Sequence, residues 1–327
     1  MEMKVKSTPK ISVIVAIYNV EQYIEKCTIS LFNQTLEDIE YIFVDDCSTD
    51  NSIKILKSII DRYPHRAESI KIIKNIKNSK VAYSRTIGMK AATGEYVIHC
   101  DPDDFVELDY YETMYRAAKE TDSDIVAANY YKETEGVVEE IKANYYSSCP
   151  KNCIKKIYTD YFFPSLCSHL VKRSLYVEND IYPYVGINTG EDLNVLLRVF
   201  YYGKKLTYID KAYYHYVMRG SSLTHNRDAM ALWNNNISKN LKQIIEFFES
   251  KDDAESYSTM LNYLKFTKKQ ILLSVKPPQA KMWYDIYSEC RRDILKFSHL
   301  PITRRLLYLL FSYSYPLLNL YFKLKYR

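Results

Sequence analysis

The sequence predicts an α/β fold, with a Rossmann-like, mostly parallel sheet flanked by helices and an all-helical C-terminal extension. Two features of the 327-residue chain indicate this fold. Over roughly the first hundred residues, β-branched strands alternate with amphipathic helices, which is typical of right-handed βαβ crossovers. Beyond Asp228 the apolar residues follow a helical period, as in Met230, Trp233, Ile237, Leu241, Ile244, Ile245 and Phe248.

The first strand, 11–17, is almost wholly apolar, as expected for a strand buried on both faces of a parallel sheet. Further strands are predicted at 39–44, 70–73 and 95–100. The helices between them are indicated by one-sided apolar residues at Tyr23, Ile24, Cys27, Leu31 and Phe32, then at Ile53, Leu56 and Ile60, and by the segment 83–92. The Ser-Thr-Asp cluster at 48–50 suits the capping of the second helix.

The pattern changes after a further predicted strand at 124–129. A Tyr- and Lys-rich stretch continues to about residue 160, and a mixed region follows, with a helix opening at Glu191 and a β-like run at 212–217. We therefore expect one domain over 1–226, with halves at about 9–130 and 131–226, and a helical extension over 227–327.

Composition excludes several classes of protein. The chain is 47% hydrophobic and 26% charged, so it has enough apolar material for a core and is not expected to be disordered or fibrous. The formal net charge is +5, and residues 301–327 supply all of it without a single acidic residue. A nucleic-acid-binding protein spreads its cations over a binding face, so we expect no nucleic-acid partner.

Cysteine usage indicates the compartment. The 7 cysteines are odd in number and scattered along the chain, which favours a reducing environment. The segment MEMKVKSTPK before the first strand has no apolar core of signal-peptide length. We expect a cytoplasmic protein.

The loop after the first strand argues against two cofactor classes. It reads Tyr18-Asn-Val-Glu21, and neither a G-x-G-x-x-G nor a G-x-x-x-x-G-K motif is present. A dinucleotide redox cofactor and a P-loop are therefore not expected.

Three acidic clusters are the candidates for chemistry: Asp45-Asp46, Asp101-Pro-Asp103-Asp104 and Glu191-Asp192. The first two follow predicted parallel strands, at the edge where open α/β sheets bind ligands. Clustered carboxylates repel one another unless a cation offsets them, and hard oxygen ligands favour Mg²⁺ or Mn²⁺.

Simpler explanations remain open for two of these clusters. Residues 101–104 also suit a polar turn or the cap of a following helix. Glu191 and Asp192 also suit a helix N-terminus, where the helix dipole favours acidic residues.

Taken together and in order, these segments resemble family 2 glycosyltransferases of the GT-A fold. The resemblance covers about residues 9–225. It is carried by Val13-Ile-Val-Ala-Ile-Tyr-Asn19, Phe43-Val-Asp-Asp-Cys-Ser-Thr-Asp-Asn-Ser52, Ala91-Ala-Thr-Gly-Glu-Tyr-Val97, Asp101-Pro-Asp-Asp104, Glu191-Asp192 and Tyr216-Val-Met-Arg-Gly-Ser-Ser-Leu-Thr224.

The resemblance implies a role for individual residues. A nucleotide base and ribose would be held by Ile17, Tyr18, Asn19, Asp45 and Asp46, with Arg85 near the base and Asp101 at the ribose. Asp103 would ligate the metal, and Asp104 would support the site. Asp192 would be the catalytic base, with Glu191 beside it, while Arg219 and Ser221 lie in a segment that closes over the diphosphate in relatives.

Four positions depart from the family pattern. Ala16 stands at a common proline, and Thr86 at a common asparagine. Cys47 and Lys80 stand where glycine is usual, and glycine adopts backbone angles that other residues reach only at a cost. The geometry of the loop near the nucleotide base therefore stays open at this stage.

The implied activity is metal-dependent, inverting transfer of a sugar from a nucleotide-diphosphate donor, uridine being the expected nucleoside. The acceptor would be a glycan or lipid-linked saccharide, bound by the half at 131–226. A general base would take the proton of the attacking hydroxyl, and the cation would stabilise the leaving phosphates. A sugar-nucleotide nucleotidyltransferase and a catalytically inactive scaffold subunit are the alternatives.

Two further metal sites are weaker hypotheses. Cys149, Cys153, Cys167 and His169 are zinc-type residues, but their spacing is not the usual one. His215 or His225 is a second candidate, as an added ligand of the donor-site cation.

The tail is the last candidate. Leu306–Phe322 is apolar and aromatic with flanking cations, which suits either an anionic membrane surface contacted through 301–327 or packing on the protein's own core. The first alternative would place the protein at the inner face of the plasma membrane as a peripheral protein.

Overall fold

The computed structural model describes residues 8–143, 145, 147–158, 165–218, 230–274 and 278–325. The strands are β1 (Ile11–Ile17), β2 (Ile39–Asp45), β3 (Ile70–Lys74), β4 (Tyr96–His99), β5 (Phe105–Val106), β6 (Ile125–Thr134), β7 (Val137–Ile141), β8 (His169–Lys172) and β9 (Leu206–Val217).

Helices follow most of these strands and make up the C-terminal part. They are α1 (Ile24–Phe32), α2 (Ser52–Ile60), α3 (Lys80–Ala91), α4 (Tyr110–Thr121), α5 (Pro150–Lys155), α6 (Arg173–Glu178), α7 (Glu191–Tyr202), α8 (Met230–Glu249), α9 (Ser258–Ser274), α10 (Ala280–Asp285), α11 (Ile302–Tyr313) and α12 (Tyr315–Lys325).

The strands form a single sheet in the order β3-β2-β1-β4-β8-β6-β9-β5, with β7 paired to β6. Strands β1 to β4 pair in parallel. Strand β8 enters antiparallel between β4 and β6, so β6 and its parallel neighbour β9 run in the same direction as β1. The predicted α/β fold class is confirmed, and the sheet is mixed, with β5, β7 and β8 as its antiparallel members.

Two apolar layers lie on opposite faces of the sheet. Val13 and Val15 of β1 face a core shared with α1 and α4, whereas Ile14 faces the core of α3 and α7. On the second face, Gly88 of α3 lies so close to β1 that a Cβ there would be 2.4 Å from the Cγ2 of Ile14. The absence of a side chain at residue 88 therefore permits the close packing of this helix on the sheet.

Helix α8 belongs to the second of these cores. Its Leu241, Ile244 and Phe248 are buried with the apolar residues of α7. A third core, around Trp283 and Phe297, holds α9 to α12 together. In the part of the chain that the structure describes, none of the helices has both the length and the hydropathy needed to cross a membrane.

Candidate active site

The carboxyl ends of β1 and β2 form the first wall of the site. The backbone N–H of Asp46 donates to the carbonyl of Ile17 at 2.8 Å. The buried carboxylate of Asp46 accepts from Asn75 Nδ2 at 2.8 Å and from the N–H groups of Ser79 and Lys80 at 2.8 and 2.7 Å. Asp46 therefore fixes the turn that starts α3.

Asp45 and Asn19 order the neighbouring loop. Asp45 Oδ1 accepts from the N–H of Ser48, and Asn19 Oδ1 accepts from the N–H of Thr49, each at 2.8 Å. Tyr18 lies beside them with 45% of its surface exposed. The loop thus presents an aromatic face to solvent on a rigid backbone.

Three residues of this wall have left-handed backbone angles. Their φ values are 50° at Asn19, 63° at Cys47 and 71° at Lys80. Asparagine tolerates this region, but other residues with a Cβ pay roughly 1–2 kcal/mol for it. At both positions where the resemblance expects glycine, the chain therefore keeps the backbone angle that favours glycine.

Arg85 connects the carboxylate of the turn after β4 with the two carboxylates at the start of α7. Its buried guanidinium donates through Nη2 to Asp101 Oδ1 at 2.8 Å and through Nη1 to Glu191 Oε1 at 2.8 Å. Nη1 also donates to Asp192 Oδ1. The sequence analysis did not predict these contacts. They bring residues from the end of β4 and the start of α7 together around one cation.

Burial and charge determine the protonation of Asp192. Burial raises its pKa to about 7, and the negative charges of Glu191 and Asp101 act in the same direction. The charge of Arg85 and a hydrogen bond from the N–H of Leu166 lower the pKa and only partly offset that rise. A carboxylate with this pKa can accept a proton near neutral pH.

Asp104 connects the acidic turn to β9. It is buried and accepts from the hydroxyl of Tyr214 at 2.5 Å and from the N–H of Val217 at 2.9 Å. The N–H of Asp101 donates to the same hydroxyl at 3.2 Å. Burial raises the pKa of Asp104, and the charges of Asp101 and Asp103 raise it further. Because both of its carboxylate oxygens accept hydrogen bonds from β9, Asp104 anchors the turn at residues 101–104 to that strand.

The carboxylate oxygens of this turn are ligands that fit a hard divalent cation. Asp103 is half-buried, and the repulsion that Asp101 and Asp103 exert on Asp104 indicates an excess of negative charge that a cation would relieve. Among the residues described, no group of three or more His, Cys, Asp or Glu side chains is arranged as a complete metal site.

A buried histidine that the sequence analysis did not single out lies next to Arg85. His99, the last residue of β4, is 1% exposed, and among the residues that the structure describes neither of its ring nitrogens has a hydrogen-bond partner. Burial lowers its pKa well below the usual range, and the nearby charge of Arg85 adds to this effect. His99 is therefore neutral. Its position two residues before Asp101 was the available sequence signal.

The other histidine and cysteine candidates have different partners. The ring nitrogens of His215 face Glu133 and Glu107 at 2.7 and 2.8 Å, so the histidine is held by carboxylates within the sheet. His169 contacts the carbonyl of Ser165 at 2.7 Å and the hydroxyl of Tyr145 at 2.5 Å. Both nitrogens of His169 are thus engaged, which argues against the zinc hypothesis. Arg219, Ser221 and His225 lie outside the described residues.

Solved structures of known proteins share this fold. TarS 1–349 of S. aureus in complex with UDP matches with a TM-score of 0.68 at 19% identity, over 94% of this chain and 91% of that chain. The mannosyltransferase PcManGT of Pyrobaculum calidifontis, in complex with GDP-Man and Mn²⁺, matches with a TM-score of 0.56 at 15% identity, over 96% and 88%. The predicted GT-A fold class is confirmed.

Sequence comparison identifies the family. The model described as glycosyl transferase family 2 matches residues 12–178, and the chain belongs to that family. The putative glycosyltransferase EpsH of Bacillus subtilis is 32% identical over 222 residues, which are 66% of this chain and 63% of EpsH. The chain therefore spans less than two thirds of the length of this relative.

Proposed function

We propose that this chain transfers a sugar, with inversion, from a nucleotide-diphosphate donor to a hydroxyl of a glycan or lipid-linked saccharide. The observation that carries the proposal is the junction at Arg85, which holds Asp101 on one side and Glu191 and Asp192 on the other. In this proposal Asp192 is the base, and Arg85 connects it with the turn that would hold the donor. Family membership and the complexes of structural relatives with UDP and with GDP-Man support it.

The donor would bind along the first wall of the site. Ile17, Tyr18 and Asn19 would contact the nucleotide base together with Asp45 and Asp46, and Arg85 stays a predicted neighbour of that base. Asp101 would face the ribose. Arg219 and Ser221 would close over the diphosphate. UDP is the first candidate because the structural relative TarS is described in complex with it.

Asp103 would hold Mn²⁺ or Mg²⁺ together with the donor phosphates. Such a cation supplies Lewis acidity that stabilises the negative charge on the departing nucleoside diphosphate. Asp104 would keep Asp103 in place through its own bonds to β9.

Asp192 would be the general base. It would take the proton of the acceptor hydroxyl as the oxygen attacks the anomeric carbon, and the bond to the nucleoside diphosphate would break on the opposite side. One direct displacement of this kind inverts the anomeric centre. Glu191 would share the positive charge of Arg85 and leave Asp192 basic enough to act.

The donor-site proposal is tested by thermal unfolding with a panel of nucleoside diphosphates, each with and without Mn²⁺. Ligand that binds only the folded state raises the melting temperature by mass action. We expect one nucleotide, UDP first, to stabilise the protein more when Mn²⁺ is present, and Asp103→Asn to remove the Mn²⁺-dependent part. If Mn²⁺ increases the rise in melting temperature for none of the nucleotides, the proposal is wrong.

Product analysis separates the alternatives. A transferase releases nucleoside diphosphate from the donor, whereas a nucleotidyltransferase consumes nucleoside triphosphate and releases pyrophosphate. An inactive scaffold subunit releases neither. Sugar transfer is the activity that we favour, because Asp103 and Asp192 are both present and Asp192 accepts a hydrogen bond from Arg85.

The proposed location is the cytoplasmic face of the plasma membrane, where lipid-linked acceptors are exposed. All seven cysteines lie among the described residues and none of them forms a disulfide. That state fits a reducing compartment.

A further inference from the structure

The last two helices expose apolar side chains on one face of each. On α11 these are Ile302, Leu306, Leu310 and Tyr313, and on α12 they are Leu317, Leu320, Tyr321 and Leu324. Most are about half exposed or more, from 36% at Tyr321 to 63% at Leu324. The spacing of four, four and three residues on α11 is that of a single helical face. We call these eight side chains the tail stripe.

The opposite faces of the same helices are packed. Phe311 and Leu318 are buried in the third core together with Trp283. The rings of Phe311 and Tyr321 lie 5.2 Å apart, so α11 and α12 also contact each other. The core hypothesis for the tail is therefore correct for one face only. The tail stripe is a second apolar face that the described part of the chain leaves uncovered.

Every charged side chain within residues 301–327 is positive. Residues 301–327 contain no Asp or Glu, and the cations Arg304 and Lys323 are exposed. A second copy of the same surface would bring like charges together without any carboxylate between them. An anionic surface is the complementary partner, and exposed leucine and tyrosine with flanking cations are the side chains that enter the headgroup region of a bilayer.

We propose that the tail stripe docks on an anionic lipid bilayer, with α11 and α12 lying in the plane of the membrane surface. The 12 residues of α11 extend only about 18 Å, well short of the ~30 Å hydrocarbon core. The stripe therefore inserts to headgroup depth while the opposite face keeps its contacts with the third core. The use of this docking, to bring the active site to a lipid-linked acceptor, rests on the proposed function; the lipid binding itself does not.

Vesicle sedimentation of the full chain tests the proposal. We expect the protein to sediment with vesicles of equal phosphatidylglycerol and phosphatidylcholine, and much less with phosphatidylcholine alone. The double variant Leu306→Glu/Leu310→Glu should lose at least tenfold in the fraction bound. The control Val177→Glu places one glutamate at an exposed valine of α6, 53% exposed, and should bind like the original chain.

A second variant guards against misfolding. Arg304→Gln/Lys323→Gln changes only exposed cations and should weaken binding about fivefold for each charge removed, with the difference disappearing at high salt. Each variant should have the same thermal-unfolding midpoint as the original chain, so that a loss of lipid binding is not caused by unfolding.

Several outcomes would overturn the proposal. One is no sedimentation with anionic vesicles, and another is equal binding by the original chain and the Leu306→Glu/Leu310→Glu variant. A third is a dimer in light scattering that this variant converts to a monomer, which would assign the stripe to a second copy. The thermal-unfolding panel with nucleotides contains no lipid. Failure of the vesicle experiment therefore leaves the donor-site proposal intact, and failure of the nucleotide experiment leaves the lipid-docking proposal intact.

Discussion

At the scale of single residues, the charge balance around Asp192 decides what the site can do. Four charged groups meet there: Arg85 against Asp101, Glu191 and Asp192. One cation among three carboxylates leaves an excess of negative charge, and burial adds to the cost of ionising Asp192. The consequence is a carboxylate whose protonation changes near neutral pH.

This balance predicts the pH dependence of kcat/KM, which reports groups of the free enzyme. Activity should rise with pH through about 7 as Asp192 loses its proton. Glu191→Gln removes a negative neighbour, lowers the pKa of Asp192 and should move this rise about one unit to lower pH. Arg85→Gln removes the offsetting cation and should move it to higher pH. The measurement is nucleoside diphosphate release across the pH range.

Two comparisons make the pH prediction specific. Glu178→Gln, on the exposed end of α6, should leave the profile unchanged. Asp192→Asn should lose about 10²- to 10⁴-fold in kcat at every pH. A profile that moves equally in Glu178→Gln and Glu191→Gln would rule out the proposed charge balance.

The backbone at Lys80 gives a prediction that needs no substrate. Its φ of 71° disfavours any residue with a Cβ. Lys80→Gly should therefore stabilise the protein by up to about 1 kcal/mol, because the N–H that donates to Asp46 is kept. Lys54→Gly, in the interior of α2 and exposed, should destabilise it by about 1 kcal/mol. Chemical denaturation measures both; the same sign for the two variants would contradict the strain argument.

At the scale of elements, α8 supports the start of α7. Asn240 of α8 donates through Nδ2 to the carbonyl of Gly190 at 2.6 Å and accepts through Oδ1 from Asn194 Nδ2 at 2.8 Å. Gly190 has a φ of 71°, and a Cβ there would lie 2.9 Å from Asn240 Nδ2. The residue before the Glu191–Asp192 pair is thus held by a helix of the C-terminal extension.

Asn240→Ala should separate catalysis from donor binding. Losing this support lets the start of α7 shift, so kcat should fall roughly ten- to a hundredfold, while the Kd for the nucleotide stays unchanged. Gln243→Ala removes only an exposed hydrogen bond to Glu246 on the same helix and serves as the control. A parallel loss of nucleotide affinity in Asn240→Ala would show a general structural effect instead.

Strands β6 and β7 show the limit of prediction from local sequence patterns. The sequence analysis predicted no strand in the Tyr- and Lys-rich stretch after residue 129, yet β6 continues to Thr134 and turns back into β7. Glu135 and Gly136 form that turn with φ values of 50° and 84°. Paired left-handed residues are typical of tight hairpins. The Glu-Gly pair between alternating residues was the available signal, and it is weaker than Asn-Gly.

At the scale of the whole molecule, the boundary predicted at 226/227 separates segments that share a core. Leu241, Ile244 and Phe248 of α8 are buried against the apolar residues of α7. Each contributes about 2 kcal/mol by burial. Together they account for a large part of the roughly 5–15 kcal/mol by which domains are stable.

A chain ending at residue 226 should therefore not unfold cooperatively and should aggregate. A chain ending at Leu300 removes only α11 and α12 and keeps the core around α7, so it should retain a cooperative main transition in calorimetry. If the shorter chain unfolds with the same midpoint as the full protein, the extension is an independent unit.

The sequence by itself predicted the strands and helices of the first hundred residues and the edge at which the carboxylates gather. Apolar runs and helical periodicity are local properties, and parallel strands place their carboxyl ends on one edge. Asp45, Asp46 and Asp101 could therefore be assigned to that edge from the sequence. Residues 47 and 80 could also be flagged, because the family resemblance has glycine at both positions.

Only the tertiary structure decided which charges meet and which apolar faces stay uncovered. Arg85 and Glu191 are 106 positions apart, and no local pattern pairs them. The same holds for Asn240 with Gly190 and for the two faces of α11, one packed and one exposed. Contacts of this kind depend on how the layers pack in space, and both the protonation of Asp192 and the tail stripe follow from that packing.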